Sequence, residues 1–198
     1  IAQFNLSLTN KDGYLELRKL YNSEKNPLDL FVLAAYSFNH QIRFNNSHEF
    51  NNPFGKDRSC FNEHMKNNLL DFLKELNSKN VQFTSTNFDD FDFSKLSCND
   101  FVYCDPPYLN SCGAYNDGKR GFNGWDEQQE QKLLSFLLRL HRRGVHFMLS
   151  NMADRNGNTN TTLHNWVRDN GFRIICNDKV TKRNRQDRIE ILIVNYDL

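Results

Sequence analysis

Four consecutive residues in the second half of the chain have the types needed to hold a planar amino group: Asp105, Pro106, Pro107 and Tyr108. They directly follow Phe101 to Cys104, a short apolar run typical of a buried strand in a parallel sheet. Ligands bind at the carboxyl ends of strands in open α/β sheets. The prolines remove two N–H donors, so Asp105 and the Pro106 carbonyl can each accept one amino hydrogen while Tyr108 stacks on the ring. The alternative is a rigid turn with a solvent-facing carboxylate.

A second group of residues is basic and lies between the last two predicted strands. These residues are Lys179, Lys182, Arg183, Arg185 and Arg188. Such a run either contacts phosphates or forms an ordinary solvated turn. Lys56 and Arg58, earlier in the chain, are open to the same two interpretations.

The motif and its neighbours resemble the DNA adenine N6-methyltransferases of the Dam type, the α-class or D12 class, and phage-encoded Dam most of all. Three further segments match the family: Ala114-Tyr115-Asn116, Trp125 at a helix start, and Leu149-Ser150-Asn151 at a strand end. The resemblance implies methyl transfer from S-adenosylmethionine to a flipped-out adenine. It implies that Asp105, Pro106, Pro107 and Tyr108 are catalytic and that Asp105 and Tyr108 also contact the cofactor. Aspartate at the first motif position favours adenine over cytosine N4 within the family.

The resemblance also extends upstream, where residues 38–45 and 50–55 are similar to the target-recognition hairpin of the family. It places Arg43 at the guanine-reading position, although a surface arginine or a phosphate contact is the alternative. Pro53 corresponds to a contact with a thymine methyl group, and the preferred target would be GATC. The candidate DNA-binding residues are Phe38, Asn39, Gln41, Arg43, Asn45, Pro53, Lys56, Arg58, Lys182 and Arg183.

One part of the family pattern is missing from these 198 residues. The family's aromatic-x-Gly-Gly-Lys segment and its Phe-x-Gly-Gly-Gly turn are both absent, and Gly118, Gly121 and Gly124 have the wrong spacing and lie downstream of the motif. We therefore expect the chain to lack the family's first several dozen residues. We also expect S-adenosylmethionine to bind weakly or not at all to these residues alone, because close backbone approach to the cofactor needs glycine.

The element pattern predicts an α/β fold, a partial doubly wound Rossmann-like methyltransferase sheet preceded by a mostly helical target-recognition lobe. The lobe, residues 1–98, is predicted to contain helices at 11–22, 28–37 and 61–76, a β-hairpin or extended loop at 41–54 and a short strand at 81–84. Tyr14, Leu17 and Tyr21 are predicted to form one stripe on the first helix. Asn26-Pro27 is predicted to start the second helix, which is apolar on most sides and therefore expected to be buried.

The catalytic region, 99–198, alternates strands and helices, which predicts a sheet covered on both faces. Asp126 with Gln129 predicts the start of one helix, and Gly171 predicts the end of another. Alternation along the strand predicts that Cys104 points away from the site.

Composition narrows the class of protein. A charged content of 25% and the lack of a long apolar run exclude a membrane protein, and the polar, uncharged N-terminus is not a signal peptide. Five cysteines without CxxC or zinc spacing predict free thiols, no metal and a cytoplasmic location in a bacterial or phage-infected cell. A net charge of +1 does not indicate nucleic acid by itself. The predicted partner is double-stranded DNA, with a restriction endonuclease as a candidate second partner.

Two other functions remain open from the sequence. One is a non-catalytic DNA-binding remnant, and the other is a methyltransferase for RNA or another amine. The intact Asp105 to Tyr108 motif favours the enzyme over the remnant, and the matched recognition segment favours DNA over RNA.

Overall fold

The computed structural model describes residues 1–109, 125–155, 157–176 and 188–197. These residues belong to two compact units, which divide between Thr84 and Ser85. The predicted boundary near residue 98 differs from this division. Phe88, Phe93 and Leu96 pack against the core of the second unit, so the segment before the first strand goes with that unit. The functions assigned to 1–98 and 99–198 stay predictions.

The first unit contains three helices: α1 (Lys11–Glu24), α2 (Pro27–Tyr36) and α3 (Glu63–Ser78). The predicted stripe on α1 is confirmed, since Tyr14, Leu17 and Tyr21 are all buried. The predicted start of α2 is also confirmed: the Asn26 side chain accepts a hydrogen bond from the Leu28 N–H, and proline occupies the first turn.

Burial of these helices is less complete than the sequence predicts. On α2 the side chain of Leu28 is 74% exposed and that of Phe31 39%, so the prediction of a helix buried on most sides is wrong for that face. The apolar stripe of α3 forms on a helix as predicted, but α3 contains no buried residue. Short 3-10 turns at Ala2–Phe4 and Phe38–His40 complete the helical content of residues 1–84.

Of the two conformations predicted for 41–54, the structure forms the extended loop and not a β-hairpin of two paired strands. Within the described residues this segment forms only isolated bridges, Phe44 with Phe50 and Ser37 with Phe54. The side chain of Asn45 accepts hydrogen bonds from the N–H groups of Ser47 and Glu49, because asparagine competes with the ladder for backbone donors. The result is an extended loop, called the recognition loop below (residues 37–55). The strand predicted at 81–84 is also not formed.

The second unit has an α/β fold, as predicted. Its elements are β1 (Phe101–Cys104), α4 (Glu127–Arg142), β2 (His146–Arg155), β3 (Asn158–Thr159), α5 (Thr161–Asn170), β4 (Arg173–Cys176) and β5 (Arg188–Val194). The sheet order is β1-β2-β5-β4, with β3 paired to β2. β1 and β2 are parallel, whereas β5 runs antiparallel between β2 and β4, so the sheet is mixed.

The core of this unit lies on one face of the sheet. Side chains from α4 and α5 join Phe147, Leu149, Ile191 and Ile193 in a single cluster. On β1 the opposite face exposes Phe101 and Tyr103, by 54% and 55%. The predicted covering of both faces is therefore not seen at β1.

Two caps fix the ends of the helices that flank the sheet. Asp126 accepts a hydrogen bond from the Gln129 N–H at the start of α4, and Gly171 ends α5 with a left-handed φ of 68°, a conformation that favours glycine. Both were predicted from the sequence. None of the helices in the described ranges is long and apolar enough to cross a membrane.

Candidate active site

The carboxyl end of β1 and the middle of β2 bring together the residues of the candidate active site. The two strands are parallel, with Cys104 opposite Leu149, so Asp105 and Ser150 follow at the same edge. The Tyr108 hydroxyl lies 2.9 Å from Ser150 Oγ and donates to Asp105 Oδ1 at 3.3 Å. Asp105, Tyr108 and Ser150 therefore form one hydrogen-bonded chain.

The direction of this chain follows from the proton count. Tyr108 has one hydroxyl proton, and an ionised carboxylate can only accept. Since Tyr108 donates to Asp105, Ser150 is the donor to the Tyr108 oxygen. The arrangement orients the Asp105 carboxylate from one side and leaves Asp105 itself exposed to solvent.

Burial raises the pKa of the Tyr108 hydroxyl. The hydrogen bond from Ser150 acts in the opposite direction, while the charges of Asp105 and Glu190 raise the pKa further. The hydroxyl is therefore protonated at neutral pH and remains a donor to Asp105.

The neighbouring cysteine lies in the core. Cys104 packs against the apolar cluster of the second unit, and burial raises its pKa to about 11. A thiol with such a pKa carries almost no thiolate at neutral pH. This agrees with the orientation that strand alternation predicts for Cys104.

Within the first unit, most of the candidate DNA-binding side chains are exposed on or beside the recognition loop. The exposed residues are Phe38, Asn39, Gln41, Arg43, Pro53, Lys56 and Arg58. The backbone under Arg43 is fixed, because its carbonyl accepts a hydrogen bond from the Asn51 N–H at 3.0 Å. Asn45 is engaged within the loop, where its Nδ2 donates to the Glu49 carboxylate at 2.9 Å.

Asn52 holds this loop, a role that the sequence analysis missed. Its side chain is 1% exposed, and its Nδ2 donates to the carbonyls of Phe38 and Gln41 at 3.0 and 2.8 Å. The Tyr14 hydroxyl donates to the Asn52 carbonyl at 2.8 Å, which ties the loop to α1. Only its place between Asn51 and Pro53 in the matched segment could have drawn attention to it.

Gly55 closes the loop at a close approach of two backbone segments. A Cβ atom there would lie 2.7 Å from the Ser37 carbonyl oxygen and 2.4 Å from Ser59 Oγ, distances that only glycine accommodates. The predicted basic residues Lys182 and Arg183, and the segment Ala114 to Asn116, lie outside the described residues.

Comparison with known proteins decides the family. A family model for the D12 class of N6 adenine-specific DNA methyltransferases matches residues 1–182. The chain belongs to this family. The resemblance to the D12 class stated from the sequence is thereby confirmed.

Three relatives show how far the similarity extends. Modification methylase StsI of Streptococcus sanguinis is 46% identical over all of this chain, and type II methyltransferase M.FokI of Planomicrobium okeanokoites is 44% identical over 99% of it. A DNA N-6-adenine-methyltransferase of Escherichia phage P1 is 25% identical over 87% of the chain. This D12-family chain spans 31% of the length of each of the first two relatives.

Proposed function

We propose that this D12-family chain carries the amino-group site and the target-recognition loop of an enzyme that methylates adenine N6 in double-stranded DNA. The observation that carries the proposal is the Asp105 carboxylate at the end of β1, oriented by Tyr108 and Ser150. Family membership supports the reaction class. The names of the relatives, modification methylase and type II methyltransferase, support a place in a restriction–modification system with a separate restriction endonuclease.

The proposed methyl donor is S-adenosylmethionine, which supplies an electrophilic methyl group on a sulfonium. The residues at the end of β1 fit a cationic, partly aromatic ligand, because an exposed carboxylate and a half-buried aromatic ring lie side by side. We assign Asp105 and Tyr108 to one side of that ligand.

The same residues would prepare the adenine for reaction. The amino nitrogen of a purine is a poor nucleophile, since its lone pair is conjugated with the ring. Hydrogen bonds to Asp105 and to the Pro106 carbonyl would turn this lone pair out of the ring plane. Most of the rate gain would then come from orientation.

A base inside a duplex must leave the stack to reach such a site. Flipping costs a few kcal/mol, and stacking on Tyr108 would return roughly 1–3 kcal/mol. Pro107 has no N–H to present to the base, so the edge near Asp105 offers mainly acceptors to the amino group.

Target choice would rest on the recognition loop. Exposed Arg43 on a fixed backbone suits a bidentate contact with guanine in the major groove. Lys56, Arg58, Lys182 and Arg183 would contact phosphates, which position the protein without reading sequence. GATC is the target that the resemblance favours.

The decisive experiment measures methyl transfer to plasmid DNA from tritiated S-adenosylmethionine by the protein encoded in full. Asp105→Ala should lower kcat by about 10²- to 10⁴-fold, the usual contribution of a positioned polar group, and leave DNA affinity unchanged. Asp169→Ala, at an exposed carboxylate on α5, is the matched control. Retention of more than about a tenth of the wild-type kcat by Asp105→Ala would refute the role.

Mapping the methylated positions tests the substrate. N6-methyladenine confined to GATC supports the full proposal, whereas N6-methyladenine in another sequence retains the adenine assignment and replaces GATC. Methylation of RNA alone, or no methylation by the wild-type protein, refutes the proposed function.

A further inference from the structure

A carboxylate with no exposure to solvent lies in the core of the second unit. Glu130, on α4, is 0% exposed. Its Oε2 accepts a hydrogen bond from Trp125 Nε1 at 2.6 Å. Its Oε1 accepts from Asn151 Nδ2 at 2.8 Å and from Asn160 Nδ2 at 3.3 Å. Three elements of the unit thus converge on one side chain.

Each of the three donors is fixed as a donor. The Trp125 indole nitrogen cannot accept. The Asn151 Oδ1 already accepts from the Met152 N–H at 2.7 Å, and the Asn160 Oδ1 caps α5 by accepting from the Leu163 N–H at 3.0 Å. Neither amide can turn round without losing a bond. The cluster therefore requires a group that only accepts, which selects glutamate over the isosteric glutamine.

Burying a carboxylate is costly unless hydrogen bonds compensate it. Among the described ranges, no lysine, arginine or histidine forms an ion pair with Glu130. A core of pure hydrocarbon would avoid this cost. We infer that the Glu130 carboxylate is retained because it holds its three hydrogen-bond donors in place.

Glu130 holds the middle of β2 through its contact with Asn151. Asn151 directly follows Ser150, the donor to the Tyr108 hydroxyl. A shift of β2 at this point would lengthen the 2.9 Å contact between Ser150 and Tyr108 and release the Asp105 carboxylate from its orientation. Such a shift would slow catalysis, because a displacement of about 1 Å can lower a rate by roughly 10²-fold.

We propose that Glu130 is a positioning residue for methyl transfer: its buried carboxylate fixes Asn151, and through it the Ser150 hydroxyl that orients Tyr108 and Asp105. The proposal rests on the proposed function, since it assigns Glu130 to that same site. A role limited to stability is the alternative, and the two differ in how Glu130 and Ser150 depend on each other.

The experiment is a double-mutant cycle in the protein encoded in full, with kcat, KM for DNA and the melting temperature as readouts. Glu130→Gln should lower kcat by about 10- to 100-fold with little change in KM for DNA. Ser150→Ala should lower kcat through the same contact. The kcat of the double variant should then be no more than about twofold below that of the slower single variant, because the effects of coupled residues are not additive. Glu127→Gln, at an exposed glutamate one turn earlier on α4, is the control and should match wild type.

Two results would overturn the proposal: an unchanged kcat in Glu130→Gln, or effects on kcat that multiply in the double variant, as for independent sites. If Glu130→Gln does not fold, Asn151→Ala removes the amide through which Glu130 would act and leaves the carboxylate its hydrogen bonds from Trp125 and Asn160. A fall in kcat that Ser150→Ala does not deepen supports the proposal, and an unchanged kcat in Asn151→Ala refutes it.

Failure of the proposed function gives a different result. Wild-type protein would then transfer no methyl group to adenine, while the indole N–H resonance of Trp125, assigned with Trp125→Phe, would still shift between wild type and Glu130→Gln. Methyl transfer by wild type with an unaltered kcat in Glu130→Gln refutes the positioning role alone.

Discussion

Tyr108 combines two tasks in one side chain. Its ring is available for stacking, and its hydroxyl connects Ser150 to Asp105. Burial raises the pKa of this hydroxyl, so the donor is present at the pH of the cell. These two tasks can be separated by removing the oxygen alone.

Tyr108→Phe keeps the ring and removes both hydrogen bonds. We expect kcat to fall by about tenfold, less than the roughly 10²-fold or more that a positioned group in contact with the substrate contributes, because the Asp105 carboxylate itself remains. DNA affinity should be unchanged because the ring remains. Single-turnover methylation measures kcat, and fluorescence anisotropy measures affinity. Tyr103→Phe on the exposed face of β1 is the control. A Tyr108→Phe variant as fast as wild type would show that the hydroxyl does not orient Asp105.

The sequence located part of this site and could not locate the rest. Asp105 to Tyr108 is visible because an apolar strand precedes a rigid motif. The contact of Tyr108 with Ser150 depends on the register that sets Cys104 opposite Leu149, and one sequence does not contain that register. Glu130 looks like an ordinary acidic residue in the first turn of a helix; only the fold shows its burial and its three donors.

The recognition loop is an element whose conformation could not be predicted fully from the sequence. A segment rich in asparagine and phenylalanine and closed by Pro53 and Gly55 predicts either a hairpin or an extended loop. The Asn45 side chain accepts hydrogen bonds from the N–H groups of Ser47 and Glu49 and forms a turn in place of the ladder. Asn22, on α1, also occupies backbone groups of the loop: its side chain accepts a hydrogen bond from the Phe50 N–H and donates one to the Phe50 carbonyl. Local side-chain bonds of this kind decide the loop, and hydrophobic periodicity does not reveal them.

Asn52→Ala should destabilise the loop. The variant removes two hydrogen bonds from the buried Asn52 amide to the carbonyls of Phe38 and Gln41, each worth about 0.5–1.5 kcal/mol net. Urea unfolding measures this loss. Asn51→Ala, at the exposed neighbouring asparagine, removes no buried donor and should stay near wild type. Equal stability of the two variants would mean that the amide of Asn52 does not hold the loop.

Arg43→Ala tests base reading by the same element. Loss of a bidentate guanine contact costs about 1–3 kcal/mol on the cognate duplex and much less on unrelated DNA. Anisotropy titrations on cognate and scrambled duplexes give both values, with Arg58→Ala as the control for a phosphate contact. An equal loss on both duplexes would assign Arg43 to a phosphate and move base reading to Asn39 or Gln41.

On the scale of the whole molecule, burial acts in the same direction on the pKa of three tyrosines and one cysteine. Burial raises the pKa of Tyr14, Tyr36 and Tyr108 and brings that of Cys104 to about 11. In each case the folded state keeps a proton that the unfolded state releases at lower pH. Stability from these groups is complete below the ordinary pKa values, about 8.5 for cysteine and 10 for tyrosine, and is lost as pH rises above them.

The melting temperature should therefore fall between pH 8 and pH 10.5. Tyr14→Phe should reduce the dependence on pH, because it removes a buried group that resists ionisation, although loss of its hydrogen bond to Asn52 lowers stability at both pH values. Tyr103→Phe, at an exposed tyrosine, should leave the pH dependence as in wild type. Scanning calorimetry at the two pH values checks this, and an identical fall in Tyr14→Phe and wild type would contradict it.

The way the recognition loop is held has a consequence for how such a protein acquires new targets. The residues that shape its backbone, Asn22, Asn52 and Gly55, direct their contacts inward, whereas Gln41 and Arg43 are exposed. Substitutions at the exposed positions leave the inward contacts unchanged. Under the proposed function, one rigid frame can therefore evolve to serve different DNA sequences by exchange of surface side chains, without a new loop having to be folded for each.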